Sequence, residues 1–96
     1  MKKIVFHGDS LTEGAEIERQ HTWPVLVENR LQLEVVNSGI GGDTSGGLLG
    51  RFSYDVVRRK PDAVLVLCGT NDLWWGLDEK VVAANIFAMA FQAQHH

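Results

Sequence analysis

The stretch Lys3-Ile4-Val5-Phe6-His7-Gly8-Asp9-Ser10-Leu11-Thr12-Glu13-Gly14 decides the fold. It opens on a short apolar run rich in strand-forming residues and breaks at once into small and polar ones. Such a run suits a buried strand, and the Gly-Asp-Ser after it suits a turn at the strand's carboxyl end. The same order recurs twice. Leu33 to Asn37 leads into Ser38-Gly39-Ile40-Gly41-Gly42-Asp43-Thr44-Ser45, and Ala63 to Cys68 leads into Gly69-Thr70-Asn71-Asp72. Two of these three runs are continuous rather than alternating, as expected of strands covered on both faces.

Helical periodicity fills the gaps. From Trp23 to Leu31, the residues Trp23, Leu26, Val27 and Leu31 form one stripe, with Thr22 as N-cap and Pro24 harmless in the first turn. From about Ser45 to Lys60 the stripe is Leu48, Leu49, Phe52 and Val56, with Asp43 and Thr44 at its start and Pro61 at its stop. From Asp78 onward it is Val82, Ile86, Met89 and Ala93. The resulting order, β-α-β-α-β-α, predicts an α/β fold with a parallel sheet. Right-handed crossovers bring the carboxyl ends of all three strands to one edge, where open α/β sheets hold their ligands.

Composition narrows the function classes. A chain of 96 residues fits one domain. Nine basic residues against twelve acidic ones give a net charge of −3, without a basic stripe, which argues against nucleic acid as the main partner. A hydrophobic content of 45% is too high for disorder. The apolar runs are too short to span a bilayer. Met1-Lys2-Lys3 looks like the start of a signal peptide, but no long apolar region follows it. The single cysteine, Cys68, cannot form an internal disulfide and suits a reducing compartment. The expectation is a soluble, cytoplasmic protein.

No His, Cys and carboxylate spacing suggests a metal site, and no cofactor is expected. Phosphate loops also fail. Thr44 stands where the last glycine of G-x-G-x-x-G belongs, and Gly47 stands where a P-loop needs lysine. Nucleophilic catalysis fits better. A serine on a tight turn at the open edge, Ser10, is a candidate nucleophile. Acyl transfer also needs donors aimed at a developing oxyanion, which the Gly42 N–H and the Asn71 amide can supply.

The motifs Gly8-Asp9-Ser10-Leu11, Gly41-Gly42-Asp43-Thr44 and Gly69-Thr70-Asn71-Asp72, in this order and each after a strand, resemble those of the SGNH (GDSL-type) hydrolases. The fit is close to the esterase, thioesterase and lysophospholipase branch. The resemblance runs from Ile4 through the third helix and implies a flavodoxin-like three-layer α/β/α sandwich. It implies Ser10 as nucleophile, with its own N–H, the Gly42 N–H and Asn71 forming the oxyanion hole, and a small-molecule acyl ester as substrate. The family draws its general base from an Asp-x-x-His motif, and no aspartate here has a histidine three residues on. Residues 1–96 are therefore expected to be the N-terminal portion of a single SGNH hydrolase domain. A second reading is an inactive fragment or assembly module. Its third strand would present an open edge to a second copy or to a complementing C-terminal segment.

The remaining candidates carry blander expectations. Asp9 and Asp72 are expected to orient loops rather than move protons. Of Trp74 and Trp75, one is expected to pack and the other to line an acyl pocket or a partner surface. His7 is expected to be a satisfied core histidine. Glu18-x-x-His21 only mimics the missing motif, and Cys68 is expected to be a buried small residue rather than a reactive thiol.

Overall fold

The computed structural model describes residues 2–96. Three strands, β1 (Lys3–Gly8), β2 (Glu34–Gly39) and β3 (Ala63–Leu67), form one parallel sheet in the order β2-β1-β3. Six helices accompany them: α1 (Ser10–Glu13), α2 (Trp23–Leu31), α3 (Ser45–Gly50), α4 (Phe52–Asp55), α5 (Thr70–Trp74) and α6 (Glu79–His95). This is the expected α/β architecture, with helices on both faces of the sheet.

Strand register sorts the side chains. Val5 lies beside Val36 and Val64, and His7 beside Ser38 and Val66. Alternation puts these residues on one face and Phe6 and Leu65 on the other. The first face is closed by α3, α4 and α6, and Val5, Leu48, Phe52, Val56 and Met89 form a fully buried core there. The second face is covered by α2 over β1, where the Trp23 ring meets Phe6 at 4.6 Å between centroids.

Several local expectations are corrected. The single helix expected over residues 45–60 is broken into α3, α4 and a 3₁₀ turn at Val57–Arg59. Gly46, Gly47 and Gly50 hold a helix weakly, and Arg51 leaves helical geometry at φ −104°, ψ 7°. The stripe Leu48, Leu49, Phe52 and Val56 still faces the core. Thr22 occupies the N-cap of α2 without capping it, because its hydroxyl donates to the Arg19 carbonyl at 2.7 Å. Leu26 and Leu31 of α2 are exposed.

On α6, Ile86 is also exposed, whereas Ala93 lines a cavity with Phe52, Val56 and Val64, and Val82, Asn85 and Met89 turn inward. The inward turn of Asn85 lets its amide reach Ser45 at 2.9 Å. β3 is not covered on both faces, since Ala63, Leu65 and Leu67 are exposed. No helix among the described residues is long and apolar enough to cross a membrane.

Candidate active site

The carboxyl ends of the three strands lie level, with Gly8 beside Gly39 and Leu67. All three polar segments therefore leave the sheet at one rim. Two of them wind into single helical turns, α1 and α5, where the sequence suggested only loops. Ser10 is the first residue of α1. Asp9, almost fully buried, caps that turn by accepting the Leu11 N–H at 3.0 Å. The end of β2 fits beneath α1 only because residue 39 is glycine. A Cβ there would collide with the Glu13 backbone nitrogen and lie 2.9 Å from the Asp9 carbonyl oxygen.

The second segment is latched to the first. The Gly41 N–H donates to Glu13 Oε1 at 2.9 Å, and a Cβ on residue 41 would stand 3.7 Å from Ser10 Cβ. Gly42 follows at φ +81°. A Cβ at that position would meet nothing within 4 Å, so this glycine serves backbone conformation rather than space. Its N–H donates to no acceptor among the described residues, which leaves it available to a ligand.

The third segment is latched to the second. Asn71 Nδ2 donates to the Asp43 carbonyl at 2.9 Å, which uses one of its two hydrogens and leaves the other. Asp72 is fully buried and accepts both the N–H and the hydroxyl of Ser45, at 2.8 and 2.7 Å. Ser45 opens α3, so the carboxylate sits at the positive end of that helix. Asn85 donates to the same hydroxyl, tying α6 into the cluster.

Sequence reasoning passed over Arg51, the central strut beneath this rim. Its guanidinium donates to Asp43 Oδ2 at 2.8 Å, Asp55 Oδ2 at 2.9 Å, Ser38 Oγ at 2.8 Å and the Gly8 carbonyl at 3.0 Å. It thus ties the end of β1, the end of β2 and the Gly42 segment together. The i,i+4 spacing of Arg51 and Asp55 was the available signal, but it reads equally as a surface pair. Glu13, Ser45 and Asn85 carried no signal at all, because their partners are distant in sequence.

The histidines are otherwise engaged. His7 is fully buried, with Nε2 2.9 Å from the Leu48 carbonyl and Nδ1 3.0 Å from the Ser38 hydroxyl. Nε2 must carry the proton, since a carbonyl only accepts. Burial pushes the pKa of His7 below its ordinary 6.5. His21 lies 3.8 Å from Glu18, with both side chains exposed. His95 rests on Phe91 at 4.2 Å between ring centroids. Among the described residues, no histidine is hydrogen-bonded to the Ser10 hydroxyl.

Cys68 is half-buried rather than buried. Burial, followed by the carboxylates of Asp72, Asp9 and Asp43, pushes its thiol up to about 11, which keeps it protonated at neutral pH. The expectation that one of Trp74 and Trp75 packs is not met, since they are 83% and 72% exposed. Trp74 ends α5 and Trp75 caps it, so both stand at the rim with their side chains exposed.

Three loops of this composition, latched at the carboxyl edge of a parallel sheet, match a known class. The chain belongs to the GDSL-like lipase/acylhydrolase family, whose profile matches residues 6–96. It is similar to an arylesterase of Vibrio mimicus, with 33% identity over 92% of this chain and 46% of that protein. It is also similar to thioesterase 1/protease 1/lysophospholipase L1 of Escherichia coli K12, with 39% identity over 72% of this chain and 34% of that one. Among solved structures, the psychrotrophic esterase EstA from Pseudoalteromonas sp. superposes with a TM-score of 0.89 at 26% identity, covering 99% of this chain and 55% of that one. The chain spans less than half the length of the curated relatives it matches.

Proposed function

We propose that these residues form the nucleophile and oxyanion half of a serine ester hydrolase, the N-terminal portion of a single SGNH hydrolase domain. The observation that carries this reading is the double latch, Gly41 to Glu13 and Asn71 to Asp43, which draws the second and third segments around Ser10. In this reading the Ser10 Oγ attacks the acyl carbonyl of an ester or thioester as a general base takes its proton. The carbonyl oxygen becomes an oxyanion held by the N–H groups of Ser10 and Gly42 and by the Asn71 amide. The bond to the leaving group then breaks, the alcohol or thiol departs with the proton, and water releases the acid from the acyl-enzyme. Asp9 and Asp72 support this site by fixing α1 and the Asn71 turn. Trp74 and Trp75, standing free beside the third motif, are offered as contacts for the apolar part of a substrate.

The base is the missing part. The family resemblance points to a histidine oriented by an aspartate, supplied from outside these 96 residues. β3 has a free edge and exposed Leu65 and Leu67, which favours a second reading: an inactive module that pairs with a second copy or a complementing segment. The lone thiol of Cys68 supports a cytoplasmic location, which cell fractionation would test.

Hydrolysis of a short p-nitrophenyl ester, with Ser10→Ala alongside, separates the two readings. Turnover abolished in Ser10→Ala supports the hydrolase. Equal inertness of both proteins supports the module. In an active form, Asn71→Ala is expected to lower kcat about 10²-fold.

A further inference from the structure

The segment that carries the Gly42 N–H is held by its flanks. Gly42 has open space where a side chain would stand, so no packing there fixes the direction of its N–H. On the carboxyl side, Asp43 is anchored through its carbonyl to Asn71 and through its carboxylate to Arg51. On the amino side, the Ile40 N–H donates to the Gly8 carbonyl at 3.0 Å, and the Ile40 carbonyl accepts the Asp43 N–H at 3.2 Å. The remaining anchor is Gly41, whose N–H goes to the Glu13 carboxylate. That carboxylate lies close against the loop, since a Cβ on residue 41 would stand 3.0 Å from Glu13 Oε1.

Glu13 is itself fixed. It ends α1, the single turn that Ser10 begins. Its N–H donates to the Asp9 carbonyl at 2.9 Å, and the Gly14 N–H donates to the Ser10 carbonyl at 2.9 Å. Its backbone rests on β2, where a Cβ on residue 39 would lie 2.7 Å from Glu13 Cα. Among the described residues, no Lys, Arg or His forms an ion pair with this carboxylate. Its bond is therefore spent on a backbone amide, and a charged acceptor makes such a bond stronger than a neutral one.

We infer that Glu13 is a positioning residue, whose carboxylate sets the Gly42 N–H relative to the Ser10 hydroxyl. One helical turn then carries the nucleophile at its first residue and the holder of an oxyanion donor at its last. The inference rests on the reading of Ser10 as nucleophile and Gly42 as donor, and adds the residue on which their relative placement depends. Glu13 acts through Gly41 and does not touch the reacting atoms. Reach is what matters. Glutamine carries an acceptor oxygen at the same distance without the charge, whereas aspartate keeps the charge but is one methylene short.

The test uses the 96-residue chain and phenylboronic acid. The Ser10 Oγ bonds to the trigonal boron, its proton leaves to water, and the boron becomes a tetrahedral anion resembling the acyl-transfer intermediate. Boron NMR measures the adduct, and amide NMR follows Gly41 and Gly42. Glu13→Ala and Glu13→Asp should each weaken the adduct about tenfold, and Glu13→Gln should stay within about threefold of the unsubstituted chain. In Glu13→Ala and Glu13→Asp the Gly41 and Gly42 amide signals should move together. The urea midpoint should change little in all three variants, because Glu13 is exposed; a purely structural role would lower it.

A Gly42 signal that stays in place in Glu13→Ala would overturn the inference. So would an adduct kept by Glu13→Asp and lost in Glu13→Gln, since charge rather than reach would then be acting. An adduct that survives Ser10→Ala marks instead a failure of the nucleophile reading. The two failures are seen apart, because the Gly41 and Gly42 signals report on the loop whether or not boron binds.

Discussion

The two faces of the sheet are unequally covered. On one, Val5 meets Leu48, Phe52, Val56 and Met89 from three helices, all buried. On the other, Phe6 is closed off by Trp23, but its neighbour Leu65 is 44% exposed and Leu67 41%. Both faces carry apolar strand residues. The difference is that α2 reaches over β1 but leaves β3 uncovered. The closed face also supports α3, α5 and α6, from which Ser45, Asp72 and Asn85 brace the rim. Stability and site geometry are therefore concentrated on the same side of the molecule, while the other side keeps apolar surface available.

The sharpest test of that contrast is Phe52→Ala. It removes a fully buried ring from the closed face and should destabilise the chain by about 3–5 kcal/mol in urea unfolding. A cost below about 1 kcal/mol would mean that the closed face is not the true core. Arg51→Met should come next. It strands Asp43 and Asp55, which are only partly screened, and should cost about 2 kcal/mol. Arg51→Lys should recover only part, because an ammonium cannot reach four acceptors as a planar fork does. The NMR signals of Gly42 should move in both variants.

A pH titration sharpens the comparison further. His7 is held neutral on the closed face with a lowered pKa, so the unfolded chain binds the proton more tightly. Its contribution is complete above about pH 6.5. It should be lost as the pH falls from there through the lowered folded value, with no further loss below it. The urea midpoint should fall across that window, and His7→Gln should flatten the fall. The smallest effect is expected on the open face. Leu65→Ser should change stability by less than about 1 kcal/mol, since much of the side chain already meets water. A loss as large as that of Phe52→Ala would show that Leu65 is covered in solution, by a second copy or another segment, and sedimentation would identify which.

Much of the fold was legible because its signals are local. The apolar runs at residues 3–7 and 63–68, each ended by a glycine-bearing turn, marked strands, and Asp78 marked the start of α6. Helix rotation was less legible. Val82 and Met89 keep their places in the apolar stripe of α6, yet between them Asn85, bonded to Ser45, takes the inward position expected of Ile86. The expected long helix over residues 45–60 failed because Gly46, Gly47 and Gly50 hold a helix weakly and Arg51 leaves helical geometry. Arg51 serves acceptors on β1, on β2 and in the second loop, and periodicity carries no trace of such contacts.

For the candidate site, the sequence alone determined the cast. Glycine, serine and asparagine after buried parallel strands must gather at one rim, because crossover handedness leaves no other place for them. Only the tertiary structure decided how they are held. The latches from Glu13 to Gly41 and from Asn71 to Asp43, and the brace from Asp72 through Ser45 to Asn85, join residues 27 to 40 positions apart. Such contacts exist only once the sheet has set the distance between loops. Side-chain identity fixes which bonds are chemically possible, and the packed backbone selects the ones that form.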